Sequence, residues 1–135
     1  MQTAKVVWTG GQKFRATSPS GHTIHLDSDR ATNEGPGPME LLLMALGACT
    51  ATDIVIILEK KRQKVDWLEV ICSGERAATP PTVWKKLEIL FRIGGNLQED
   101  AVKHAIALSE EKYCSVAATL KKTATLSWKH ELIRS

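Results

Sequence analysis

Three cysteines stand in this 135-residue chain, Cys49, Cys72 and Cys114, and two of them have surroundings in which a thiol can act. Cys49 lies in Leu46-Gly47-Ala48-Cys49-Thr50-Ala51-Thr52-Asp53, where the small side chains of Gly47, Ala48 and Ala51 let another group come close. It falls more than two turns into a predicted helix, where the dipole gives a thiolate little help, so activation requires a cation from elsewhere in the fold. Cys114 lies in Glu110-Glu111-Lys112-Tyr113-Cys114-Ser115-Val116. A chain break near Lys112 followed by a new helix puts Cys114 at a helix start, where a thiolate is favoured. Both residues also fit a second reading, as small buried hydrophobes. Cys72, on a strand between Ile71 and Ser73, reads as structural only.

Other chemistries find less support. His22 and His25 are three apart on an expected strand and so point to opposite faces, while His104 and His130 stand alone. With no His-Glu-x-x-His or clustered Cys/His pattern, the sequence predicts neither metal nor cofactor. It also lacks a phosphate-loop, Rossmann or Gly-x-Ser-x-Gly pattern. Net charge is +3 and the densest basic run is Lys60, Lys61, Arg62 and Lys64, which reads as a solvated helix end and argues against a nucleic-acid partner. The apolar stretch from Leu41 to Leu58 contains Asp53, which is costly inside a bilayer. A buried core helix is expected there, with no membrane partner. Three cysteines without a Cys-x-x-Cys pair or a leading signal fit a reducing, cytoplasmic setting.

The elements that must position these thiols follow from periodicity and turn residues. Residues 4–8, 13–17 and 22–26 read as three strands of an antiparallel meander, separated by Gly10-Gly11 and Ser18-Pro19-Ser20-Gly21. Residues 27–37 form a polar loop. Pro38 and Glu40 open a long helix running to about Arg62. Its first turns, Leu41 to Leu46, have no polar side, so the helix must be covered all round. One chain of this length has little material for that, which predicts a second subunit. Strands are expected over 65–75 and 84–93. Asn96 with Glu99 forms a capping-box pattern for a helix that buries Ala101, Val102, Ala105, Ile106 and Leu108. A second short helix over 113–120 carries Cys114, and a last strand covers 123–133. The irregular order β-β-β-α-β-β-α-α-β indicates a single α+β domain, residues 1–135, with a mostly antiparallel sheet.

Two segments are similar to a known family. Gly37-Pro38-Met39-Glu40-Leu41-Leu42-Leu43-Met44-Ala45-Leu46-Gly47-Ala48-Cys49, with Asp53 after it, resembles the central-helix motif of the OsmC/Ohr family. Ser109-Glu110-Glu111-Lys112-Tyr113-Cys114-Ser115-Val116 resembles that family's second cysteine segment, and the likeness is greatest to its YhfA-like branch. The resemblance implies an intertwined homodimer around long central helices, with both thiols in an interface pocket. It implies reduction of a small organic hydroperoxide, with Cys49 passing through a sulfenic acid to a disulfide with Cys114 and a dithiol reductant restoring the pair. It also exposes two departures. Well-studied members place an activating Arg at the first Gly-Gly turn, held by a Glu directly after the motif's Pro; this chain has Gln12 and Met39 there. Arg15 or Lys112 is then the candidate cation, with Glu40 and Asp53 as supporting carboxylates. The alternative is a non-catalytic protein of the same fold that binds a small apolar ligand or senses redox state.

Overall fold

A computed structural model describes residues 1–134, which fall into two compact units, one from Met1 to Leu42 and one from Leu43 onward. In the first, β1 (Lys5–Gly10), β2 (Lys13–Thr17) and β3 (Thr23–Asp27) form the expected antiparallel meander. The turn after β1 puts Gly10 and Gly11 at φ 123° and 53°, a region that residues with a Cβ rarely enter. Past β3, the loop organises itself around the buried carboxylate of Asp27. It accepts from the Thr32 hydroxyl at 2.6 Å and from the backbone N–H groups of Asp29 and Glu34 at 2.9 and 3.0 Å. That loop delivers the chain to α1 (Pro38–Lys60).

In the second unit, β4 (Trp67–Arg76), β5 (Trp84–Gly94) and β6 (Thr125–Ile133) form one sheet with β5 in the middle. β4 runs antiparallel to β5. β6 runs parallel to β5, because the connection between them is a helical crossover that returns the chain to the same end of the sheet. The described strands are therefore mostly antiparallel, and the architecture is α+β as the element order predicts. Leu87, Ile89, Phe91 and Ile93 alternate along β5 at 1% exposure or less and form the floor of the core. Above it lie Val102, Ala105 and Ile106 of α2 (Glu99–Leu108) and Ala117 and Leu120 of α3 (Ser115–Leu120).

Two local expectations are corrected. Asn96 does not cap α2; Gln98 occupies the cap position and makes no side-chain cap bond. Instead its own N–H donates to Oε1 of Gln63 at 2.8 Å, so a distant side chain substitutes for the local box. The predicted helix over 113–120 starts later, because Ser109–Tyr113 forms a single wide turn of π-helix and Cys114 is extended.

α1 is the one described helix long and apolar enough to cross a bilayer. Yet Leu46, Thr50, Ile54 and Leu58, spaced by four, are at 1% exposure or less and belong to the core. α1 is a core helix covered on one stripe. Beside that stripe the helix is half-buried, and Leu42, Met44, Val55 and Ile56 are exposed in the single chain.

Candidate functional site

The thiol site grows from α1 and from the crossover between β5 and β6. Cys49 and Asp53 are one turn apart on α1 and share a face beside the buried stripe; both are half-buried. The third group arrives from the π turn, a feature common at functional sites. The N–H of Cys114 reaches back to the carbonyl of Ser109 at 3.0 Å, which widens the turn and ends it. Cys114 then takes φ −75° and ψ 101° and caps α3, its Sγ accepting from the Ala117 N–H at 3.3 Å.

The result is close convergence. Sγ of Cys49, Sγ of Cys114 and a carboxylate oxygen of Asp53 all lie within 4.8 Å of one another. Ser109, fully buried, donates its hydroxyl to Oδ2 of Asp53 at 2.9 Å and fixes that carboxylate. Nothing in the sequence marks this partner: Ser109 opens the second cysteine segment but looks like any helix-terminal serine.

Burial governs the electrostatics of Cys114. It pushes the thiol up to about 12; the Ala117 N–H acts in the opposite direction, while neighbouring Cys49 and Asp53 raise it further. The helix start at Cys114 exists as the sequence predicts, but desolvation outweighs it, so this thiol stays protonated at neutral pH. Cys72, half-buried, is pushed up to about 11 by burial alone. Its sulfur lies beside Gly47 of α1.

The other candidates are placed as follows. Lys112 is exposed, with its ammonium 5.4 Å from the centre of the Tyr113 ring. Glu40 is occupied at the start of α1, where Oε1 accepts from the Gly37 N–H at 2.8 Å and pairs with Arg30 at 3.0 Å. Arg15 is exposed on β2, opposite Val7 and His25.

A hollow of about 440 Å³ opens at Asp53, lined by Asp53, Ile56, Ile57, Lys60, Lys61, His104, Leu108 and Tyr113. This volume falls within the usual range for small-ligand sites. Ile56, Ile57, Leu108 and Tyr113 make one part of its wall apolar, Lys60, Lys61 and His104 make the rest polar, and Asp53 belongs to both hollow and thiol cluster. Lys60 and Lys61, which the sequence assigns to a solvated helix end, stand at this hollow.

A family model described as OsmC-like protein matches residues 31–129. Protein YhfA of Escherichia coli strain K12 is 40% identical over 131 residues, covering 96% of this chain and 97% of its own. Among solved structures, a hypothetical protein from Aquifex aeolicus VF5 superposes with a TM-score of 0.90 at 30% identity, over 100% of this chain and 98% of that one. An OsmC-like protein from Mycoplasma pneumoniae gives 0.86 at 20% identity, over 98% and 97%. The organic hydroperoxide resistance protein OhrB of Bacillus subtilis shares the fold at 16% identity and a TM-score of 0.66, over 96% and 98%.

Proposed function

The chain belongs to the OsmC-like family, and from that premise we propose that it is a thiol peroxidase for small organic hydroperoxides, acting through Cys49 and Cys114. The observation that carries this reading is the approach of the two sulfurs and the Asp53 carboxylate to within 4.8 Å. Disulfide formation requires the sulfurs to reach about 2.05 Å, a rotamer change away from such a separation. The half-buried Cys49 is the nucleophile and the buried Cys114 the resolver.

The Cys49 thiolate attacks the hydroperoxide oxygen distal to carbon, breaking the O–O bond. The alcohol leaves after taking up a proton, and Cys49 becomes a sulfenic acid. Cys114 attacks that sulfur, its thiol proton passes to the departing hydroxide, and water and a disulfide result. A dithiol reductant then returns two electrons. Asp53, held by Ser109, lies close enough to relay that proton from Cys114 to the hydroxide. The apolar part of the adjoining hollow, Ile56, Ile57, Leu108 and Tyr113, suits the alkyl part of the substrate.

The acting unit is a homodimer of one OsmC-like domain in a reducing compartment such as the cytoplasm. The uncovered apolar sides of α1 support a second copy packed against it.

The test is peroxide turnover with a dithiol reductant. Cys49→Ser is expected to abolish it, while Cys114→Ser gives one turnover and a trappable sulfenic acid at Cys49. Sulfenate label on Cys72, or full turnover in Cys49→Ser, would overturn the assignment. A second reading, a binding protein that senses redox state, has its own support in the buried, protonated state of Cys114. It predicts ligand retention without turnover.

A further inference from the structure

We propose that, in the reduced protein, Cys49, Cys114 and Asp53 form a binding site for one Zn2+ ion. The three donor atoms lie within 4.8 Å of one another. Tetrahedral zinc, with bonds of about 2.3 Å to sulfur and 2.0–2.2 Å to oxygen, holds its ligands roughly 3.5–3.8 Å apart. Closing the cluster onto an ion therefore needs movements of about 1 Å, within reach of side-chain rotation.

The supporting groups are those a metal site requires. Two donors come from one helix face, four residues apart, and the third from the extended residue that starts α3. The Ser109 hydroxyl orients the Asp53 carboxylate through Oδ2 at 2.9 Å, the kind of outer contact that fixes metal ligands. The Ala117 N–H points at Sγ of Cys114 at 3.3 Å and stabilises negative charge there. Cys114 is buried, while Cys49 and Asp53 are half-buried, so the cluster has a closed floor and an open side. Three protein ligands and an open fourth position is a common zinc arrangement.

The donor set selects the ion. Two thiolates are wrong for magnesium or calcium, which take oxygen ligands. A carboxylate beside them favours borderline zinc over all-sulfur copper(I). The expectation of no metal rests on the histidines and on the absence of a Cys-x-x-Cys pair. It does not see donors from residues 49, 53 and 114, which only the fold gathers.

Zinc and the disulfide use the same sulfurs, so each excludes the other. Two thiolates, one hydroperoxide and two protons give one disulfide, one alcohol and one water, and the ion is released. Zinc binding stands on the geometry alone; its competition with oxidation rests on the proposed thiol chemistry.

The test is titration of the reduced full-length protein with ZnCl2 by calorimetry, with Co2+ as a spectroscopic probe. One ion per chain is expected, with the visible bands of tetrahedral cobalt and near-ultraviolet thiolate-to-cobalt charge transfer. Asp53→Asn and Ser109→Ala should each weaken binding by about tenfold or more. Cys49→Ser and Cys114→Ser should each weaken the charge-transfer band, the double variant should lack it, and the disulfide form should bind no ion. An octahedral cobalt spectrum, no charge transfer in wild type, or unchanged affinity in both Asp53→Asn and Cys114→Ser would overturn the proposal. Those wild-type spectra decide the matter even where a variant fails to fold. Absent peroxide turnover with zinc binding intact would sink the peroxidase reading and leave this site standing; the reverse pattern would remove zinc alone.

Discussion

Oδ2 of Asp53 accepts a 2.9 Å hydrogen bond from the hydroxyl of Ser109, joining the central helix to the first residue of the π turn. Fifty-six positions separate the two residues in the chain. The bond holds the segment ending at Cys114 against the helix face that carries Cys49. Removing it with Ser109→Ala leaves a carboxylate without its buried donor and is expected to cost about 1.5–3 kcal/mol. Urea unfolding measures the loss. Formation of the Cys49–Cys114 disulfide should slow in parallel, whereas Ser109→Thr, which keeps the hydroxyl, should recover part of both.

The protonation of Cys114 makes stability fall at alkaline pH. An unfolded thiol titrates near about 8.5, and burial pushes the folded Cys114 up to about 12. The folded state thus holds its proton more tightly. Its contribution to stability is complete below about pH 8.5 and is lost as pH rises toward 12. Cys72, pushed up to about 11, acts in the same direction. Urea midpoints should decline above about pH 8.5, and Cys114→Ala should flatten that slope. Alkylation of the folded protein at neutral pH should label Cys49 ahead of both.

Acid should act first on the loop after β3. Asp27 is lowered to about 2, chiefly by the Thr32 hydroxyl and then by the Glu34 N–H. Its unfolded counterpart titrates near about 3.9. The stabilisation is present above that value and disappears as pH falls through about 2. Protection of the amides in residues 27–35, relative to their intrinsic exchange, should therefore fall below pH 4, on the order of the unfolded carboxyl value, and Asp27→Asn should lower it at neutral pH.

The two sides of α1 should answer differently to substitution. Ile54 is 1% exposed, and Ile54→Ala is expected to destabilise the fold by about 2–5 kcal/mol. Met44 and Val55 are 58% and 42% exposed in the single chain. Met44→Glu and Val55→Glu should leave secondary structure intact and shift the sedimenting species from dimer to monomer. A dimer unaffected by both would place the second copy elsewhere.

Much of this molecule was legible in its residues. Turn signals and alternation located all six described strands, and the Pro38–Glu40 start located the central helix, because these are local preferences of the backbone and of apolar periodicity. The two cysteine segments marked both reactive candidates. The failures were non-local. The cap of α2 passed from Asn96 to a contact with Gln63, 35 residues away. The predicted helix start favours a thiolate at Cys114, yet burial of that residue within the crossover reverses the balance.

The sequence by itself determined which segments are helix or strand, that one helix is apolar all round in its first turns, and that two thiols sit in distinctive settings. Only the tertiary structure decided that Asp53 and Ser109 accompany them and that Cys114 stays protonated. It also decided that the hollow borders Asp53. Periodicity describes one element at a time. Proximity between residues 49, 53, 109 and 114 depends on how a helix and a crossover pack, and desolvation exists only once that packing has removed the water.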